Sequence, residues 1–127
     1  MGTLNVYIAT PVNGRTEATI EAKQAAARQR VEFLRKMVKA VFPDAVCWSS
    51  FDLMIPSVLR DMSEGEIIGR CVQLIIDKID LFLLDKDHED SKGCFVEYCT
   101  ADTYDKQVMS LEQFREQFAI QLNDMGI

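Results

Sequence analysis

The segment DLFLLD, at residues 80–85, decides the class of fold because four consecutive apolar residues stand between two aspartates. A strand with one solvent-facing side alternates apolar and polar residues, whereas an unbroken apolar run indicates a strand covered on both faces. Strands covered on both faces are typical of parallel sheets that carry helices on each side. The segment therefore predicts an α/β fold with the sheet as its middle layer.

The chain before this segment supplies a first strand and a long helix. Residues 4–10 (LNVYIAT) are rich in β-branched and aromatic side chains, and they end at Pro11 and an Asn-Gly turn signal at residues 13–14. Apolar residues then recur at helical spacing over residues 16–41, and Pro43 ends this helix. A series of alternating strands and helices begins here.

The rest of the chain continues the alternation. Capping-box patterns, Ser63 with Glu66 and Ser110 with Gln113, mark two helix starts. The order predicts an open parallel sheet of about four strands with helices on both faces, built by a single domain over residues 1–127. The other predicted elements are a strand at 45–48, an irregular connection with one helical turn at 51–60, helices at 63–78 and 93–104, a strand at 107–109, and a final helix from Ser110 with the apolar stripe Leu111, Phe114, Phe118 and Leu122.

Composition and charge narrow the class of partner. The chain has 127 residues, 48% of them apolar, which suits one buried core. Its formal net charge of −6 repels phosphate backbones, and the basic residues between Lys23 and Lys39 are spread along one amphipathic helix. We therefore expect a small-molecule partner and no nucleic acid.

The cysteines and the apolar runs indicate the cellular compartment of the protein. The four cysteines include no C-x-x-C pair, and His88 is the only histidine, so the sequence predicts no metal and no cofactor. The first residues lack a signal-peptide pattern, and no segment approaches the roughly 18 apolar residues of a membrane span. We expect a soluble cytoplasmic protein without a membrane partner, whose thiols are free.

The predicted fold also selects the loops that build a site. Parallel sheets bind ligands beyond the carboxyl ends of their strands, here the loops at residues 10–15, 49–62 and 86–93. In the third loop, Ser91 and Gly93 stand at a predicted helix start, where free N–H groups and the helix dipole favour an anion such as a 5′-phosphate. Glu97 follows one turn later, and carboxylates serve as nucleophiles in glycosyl transfer. The alternative is that Ser91 only caps the helix and Glu97 is a solvated acid.

Three blocks of the sequence carry a resemblance to a known family. Residues 6–14 (VYIATPVNG) resemble the V-Y-I-S-G-P-x-T-G opening of small relatives of the nucleoside 2-deoxyribosyltransferases. The pattern Ser91-x-Gly93-x-x-x-Glu97-x-x-x-Ala101 is similar to a segment shared with the 2′-deoxynucleoside 5′-phosphate N-hydrolases. Asp80 matches the aspartate before the family's third strand, so the resemblance covers about residues 4–101.

The resemblance implies a flavodoxin-like, Rossmann-like fold that cleaves or transfers at the N-glycosidic bond of a deoxyribonucleoside or its 5′-monophosphate. Glu97 would be the nucleophile, and Tyr7 would hydrogen-bond near that carboxylate; the alternative for Tyr7 is a buried strand tyrosine. The substrate-binding residues implied by the resemblance, or by the helix start, are Pro11, Asn13, Gly14, Arg15, Ser91 and Gly93. Arg15 is alternatively a solvated turn residue.

The sequence departs from the family at one chemical position. Relatives generally carry an aspartate eight residues before the third-strand aspartate, and Val72 stands there in this chain. Valine cannot transfer a proton, so either Asp52, Asp61 or Glu64 substitutes for the aspartate, or the activity is weakened or absent. The alternative function is therefore a nucleotide-binding or regulatory domain of the same fold. Thr10 also replaces a family glycine, which narrows the expected pocket.

Other side chains leave a functional and a structural interpretation open. Trp48 and Phe51 could stack on a base, but core packing is the favoured interpretation. His88 lies among acidic residues and is more typical of a solvated loop than of a general acid.

The first and last predicted helices carry more apolar residues than one sheet face can cover. The surplus packs either helix on helix or against a second copy of the chain, and the resemblance also implies oligomers. We expect a homodimer or a larger homo-oligomer.

Overall fold

The computed structural model describes residues 3–11, 20–53, 63–85, 91–124 and 126. Their elements alternate as the sequence predicts, with strand and helix ends shifted by a few residues. In chain order they are β1 (Asn5–Ala9), α1 (Ile20–Val41), β2 (Val46–Trp48), a 3₁₀ turn (Ser50–Leu53), α2 (Glu64–Lys78), β3 (Leu81–Leu84), α3 (Lys92–Thr103), β4 (Gln107–Ser110), α4 (Leu111–Gln117) and α5 (Ala119–Asp124).

The four strands form one sheet in the order β2-β1-β3-β4, and every neighbouring pair is parallel. Helices cover both faces, so the predicted α/β architecture is confirmed, and it is consistent with a flavodoxin-like three-layer sandwich. The strand order reverses direction between β1 and β3. Ligands of open α/β sheets bind at such a switch point, beyond the carboxyl ends of the strands.

The alternation of side chains along the strands divides the core into two halves. Val6 and Ile8 of β1 point to the face covered by α1, α4 and α5, which we call the α1 face. Tyr7 and Ala9 point to the opposite face, covered by α2 and α3, which we call the α2–α3 face. Residues of β3 divide in the same way, because successive side chains of a strand point to opposite faces.

The predicted final helix is wrong in one respect, because it is two helices that meet at Phe118. The backbone of Phe118 leaves the helical region, with φ −113° and ψ 26°, and its N–H still donates to Phe114 O. This turn places the Phe118 ring 5.3 Å from that of Phe42 and 4.8 Å from that of Phe114. The stripe that looks continuous in the sequence is therefore interrupted where Phe118 contacts Phe42, the residue directly after α1.

Serine residues cap three of the helices. Ser110 forms the complete capping box predicted with Gln113, since each side chain accepts a hydrogen bond from the other residue's backbone N–H. Ser63 forms only half of the predicted box: it accepts from the Glu66 N–H, while the Glu66 carboxylate accepts from the Ser63 hydroxyl instead of its N–H.

At the amino end of the sheet, Asp80 joins neighbouring strands. Its carboxylate accepts a hydrogen bond from the Asn5 N–H at 2.9 Å, and its own N–H donates to Asn5 O at 2.9 Å. The Asn5 side chain in turn accepts from Trp48 Nε1 at 3.2 Å. Asp80, one of the residues that carry the family resemblance, therefore lies at the edge opposite the predicted site.

No helix within the described ranges is long and apolar enough to cross a membrane.

Candidate active site

Glu97 lies on the buried side of α3, together with Cys94 and Ala101 at spacings of three and four residues. These spacings place the three side chains on one helical face, which packs on the α2–α3 face of the sheet. Only 7% of Glu97 is exposed, so the alternative of a solvated acid does not hold. A carboxylate on a core-facing helical stripe is costly, which makes it a candidate for function.

Tyr7 lies with Glu97 at the centre of this buried region. It is completely buried in β1, and its ring stacks on that of Phe82 with centroids 5.5 Å apart. Neither the Tyr7 hydroxyl nor Glu97 Oε2 has a hydrogen-bond partner among the described residues. The structure thus brings the predicted pair together without joining them in a hydrogen bond.

Burial and the interaction between Tyr7 and Glu97 shift the pKa values of both groups. Burial raises the pKa of Glu97 from 4.5 to about 7, and the nearby Tyr7 hydroxyl opposes this rise. Burial, followed by the charge of Glu97, raises the pKa of Tyr7 well above 10. Near neutral pH, Tyr7 is therefore a neutral donor beside a carboxyl group that titrates.

Two buried thiols lie near the Glu97 carboxylate. The pKa values of Cys71 and Cys94 are each raised to about 12, first by burial and then by the charge of Glu97. Both thiols are therefore neutral at physiological pH. The α2 side chain that interacts with Tyr7 and Glu97 is Cys71, whereas its neighbour Val72 is half-buried.

Ser91 and Gly93 form the helix start in front of Glu97. Ser91 Oγ accepts a hydrogen bond from the Cys94 N–H at 3.2 Å, which is the capping role left open by the sequence. A Cβ atom at Gly93 would lie 3.8 Å from Ser91 Oγ and 4.0 Å from Glu97 Oε1. A side chain at Gly93 would therefore be in van der Waals contact with the cap and with the Glu97 carboxylate.

A charged contact that the sequence did not predict lies at the carboxyl ends of β1 and β3. Asp85 is 2% exposed, and the Arg30 guanidinium of α1 binds both of its oxygens. The Thr10 hydroxyl donates to Asp85 Oδ2 at 3.2 Å. The available signal was the position of Asp85 directly after a wholly apolar strand, at the edge where sites form.

The proposed substitutes for the missing aspartate have different outcomes. Asp52 accepts hydrogen bonds from the Ser49 N–H at 2.7 Å and from Arg35 Nη2 at 2.6 Å. Arg35 belongs to α1, so Asp52 lies toward the opposite sheet face from Glu97. Asp61 and the Glu64 side chain lie outside the described part of the structure.

The remaining predicted residues divide between the core and the undescribed segments. Trp48 and Phe51 are half-buried and pack against the core clusters, as the structural interpretation predicts. Pro11 is half-buried just after β1. Four residues lie outside the described ranges, namely Asn13, Gly14, Arg15 and His88.

No protein-family model, curated protein or solved structure matches this chain. The resemblance to the nucleoside 2-deoxyribosyltransferases stays a prediction. A functional assignment therefore depends on the residues of the site itself.

Proposed function

We propose that the chain cleaves, or transfers from, the N-glycosidic bond of a deoxyribonucleoside or its 5′-monophosphate, with Glu97 as the nucleophile. One observation carries this proposal: the buried Glu97 carboxylate and the buried Tyr7 hydroxyl each have a polar atom without a hydrogen-bond partner in the described part of the chain. A buried polar atom without a hydrogen bond is costly, so such a pair indicates a place for a ligand group or a water molecule.

The chemistry requires the ionised form of Glu97. Its carboxylate oxygen attacks C1′ of the sugar while the bond between C1′ and the base nitrogen breaks, and that electron pair leaves with the base. The base takes up a proton as it departs. Water or a second base then attacks C1′ and releases the carboxylate, which yields hydrolysis or transfer from one covalent intermediate.

Tyr7 and the start of α3 have supporting roles in this proposal. The neutral Tyr7 hydroxyl stabilises the carboxylate and holds its orientation. The first turn of α3 carries the positive end of a 12-residue helix, which favours the 5′-phosphate of a nucleotide. Gly93→Val should therefore weaken monophosphate binding more than nucleoside binding in calorimetry, and an equal loss for both ligands would contradict the phosphate role.

One observation favours a second function, a nucleotide-binding or regulatory domain without turnover. Val72 stands at the position of the family aspartate on α2, and its neighbour Cys71 presents a neutral thiol to Tyr7. This thiol, with a pKa of about 12, does not supply the proton that the leaving base needs at neutral pH. A chain with this arrangement would bind the nucleotide and release no base.

The deciding experiment incubates the chain with a panel of deoxynucleosides and their 5′-monophosphates and measures free base by chromatography. Release of base by the native chain, but not by Glu97→Gln, supports the proposed reaction. Addition of a second base distinguishes transfer from hydrolysis. Ligand-induced thermal stabilisation without base release supports the binding domain instead.

We also propose a homodimer, located in the cytoplasm, where the four free thiols stay reduced. The apolar surplus of α1 is only partly buried inside the chain, since Met37 is fully buried but Phe33 is 39% exposed. Ile120 of α5 is 78% exposed, and α3 adds Phe95, which is 63% exposed, with Val96 and Tyr98 beside it. Light scattering tests the dimer, and a mass of 14.4 kDa at all concentrations would reject it.

A further inference from the structure

An ion pair lies at the carboxyl ends of the strands, and the proposed reaction does not use it. Arg30 Nε donates to Asp85 Oδ1 at 3.2 Å and to Oδ2 at 3.0 Å, and Arg30 Nη2 donates to Oδ1 at 3.0 Å. The Thr10 hydroxyl donates to the same carboxylate. Because Asp85 is 2% exposed, these contacts replace the water that an ionised carboxylate would otherwise require.

The backbone of Asp85 belongs to the same network. Its N–H donates to Ala9 O at 3.0 Å, which extends the pairing of β1 and β3 by one residue beyond β3. The contacts of Arg30 therefore connect α1 to the ends of both strands. These two strands flank the switch in strand order, so the network lies at the end of the sheet where ligands of open α/β folds bind.

We propose that Arg30 is a positioning residue for the Glu97 site. By binding Asp85, to which Thr10 also donates, the guanidinium fixes the carboxyl ends of β1 and β3. Cys94 in the first turn of α3 packs in one cluster with Ala9 and Leu84, the last residues of these two strands. Ser91 in turn caps the helix that carries Glu97. The proposal rests on the proposed function only in naming Glu97 as the reacting group, because the positioning of the start of α3 is a property of the fold.

The shape of the guanidinium matters as well as its charge. Its planar fork contacts both carboxylate oxygens, whereas a lysine ammonium is a point charge on a flexible stem. Arg30→Lys keeps a positive charge beside Asp85 and should therefore fold, but it loses the two-oxygen contact. Arg30→Met leaves the buried carboxylate without its cation, and adding Asp85→Asn removes that charge.

The amino edge of the sheet offers a matched control. Asp80 also accepts a backbone hydrogen bond beside β1 and β3, but at the end far from Ser91. Asp80→Ala should destabilise the chain without displacing the start of α3. The comparison of the two edges separates positioning from general stability.

Amide hydrogen exchange provides a test that needs no substrate. The Cys94 and Phe95 N–H groups bond to Ser91 Oγ and Ser91 O, and they report on the start of α3. We expect their exchange to become about tenfold faster in Arg30→Lys than in Asp80→Ala at equal global stability. The double variant Arg30→Met/Asp85→Asn should recover part of the protection that Arg30→Met loses. Equal protection in Arg30→Lys and Asp80→Ala would overturn the positioning role.

Kinetics separate this proposal from the proposed function. If the native chain releases base, Arg30→Lys should lower kcat about tenfold with little change in KM, and Asp80→Ala should change neither. Unchanged kcat in Arg30→Lys would also overturn the positioning role. If the native chain releases no base, the reaction assigned to Glu97 fails, and the exchange comparison alone decides the role of Arg30.

Discussion

The two faces of the sheet are built from the same strands but differ in the polar groups that they bury. The core of the α1 face consists mainly of aliphatic and aromatic side chains, including the edge-on and tilted rings of Phe42, Phe114 and Phe118. The buried carboxylate of Asp85 is paired with Arg30 of α1. The α2–α3 face buries a tyrosine hydroxyl, a carboxylate and two thiols in one cluster. The carboxylate beside α1 is therefore paired with a cation, whereas the Glu97 carboxylate on the other face has an oxygen without a hydrogen-bond partner within the described residues.

The unpartnered atoms sharpen this difference. On the α2–α3 face, Tyr7 and Glu97 each leave a buried oxygen without a partner within the described residues. Arg35 Nε, on the other side of the sheet, also lacks a partner, but the same guanidinium binds Asp52 through Nη2 at 2.6 Å. Unsatisfied groups that cluster around a titrating carboxyl are typical of functional sites.

The largest expected effect is the loss of turnover in Glu97→Gln. If the native chain releases base, this variant should be slower by on the order of a thousandfold, because the amide keeps the shape and lacks the nucleophilic charge. The rate of base release measures it. Glu116→Gln, an exposed change on α4, is the control and should leave the rate unchanged. A native rate in Glu97→Gln would exclude the covalent mechanism.

Phe114→Ala tests the core of the α1 face. Phe114 is fully buried on the α1 face, so its truncation should lower the free energy of unfolding by about 4 kcal/mol. Urea denaturation measures this loss. Turnover per folded molecule should stay near the native value, because the site lies on the other face. A large fall in turnover at full folding would show that the two faces are coupled.

The pH dependence of stability tests the burial of Glu97. Its pKa is raised from 4.5 to about 7, so the folded chain binds more protons than the unfolded chain between these pH values. Unfolding free energy should therefore fall by about 3 kcal/mol, relative to Glu97→Gln, as the pH rises through this window. Urea titrations at pH 4.5 and pH 8 measure the difference. Parallel curves for the two proteins would mean that Glu97 ionises as freely as in water.

The sequence predicts the fold well because local patterns determine most of it. Apolar runs identify the buried strands, helical spacing identifies the helices, and serine caps set several helix starts. The break at Phe118 was not predictable in this way, since it depends on packing against Phe42. The apolar spacing of the final helix is the same with or without this contact, so the spacing does not reveal the break.

The site is harder to predict from the sequence, because it also depends on contacts between distant residues. The spacing of Cys94, Glu97 and Ala101 holds a signal, since a carboxylate occupies one position of a core-facing stripe. The ion pair of Arg30 and Asp85 joins residues 55 positions apart, and no local pattern connects them. Sequence periodicity predicts which residues face the sheet, but the contacts between them depend on the complete fold.

Tyr7→Phe has the smallest expected effect on stability and tests the pair most directly. The variant removes a buried hydroxyl that has no hydrogen-bond partner among the described residues, so the free energy of unfolding should change by no more than about 1 kcal/mol. The hydroxyl also opposes the rise of the Glu97 pKa, so its removal should move the acid limb of the rate profile above pH 7. Turnover at pH 7 should fall about tenfold and partly recover at higher pH. Tyr98→Phe on the exposed side of α3 is the control. A large loss of stability without a shifted pH profile would show that the Tyr7 hydroxyl serves the core instead of the carboxylate.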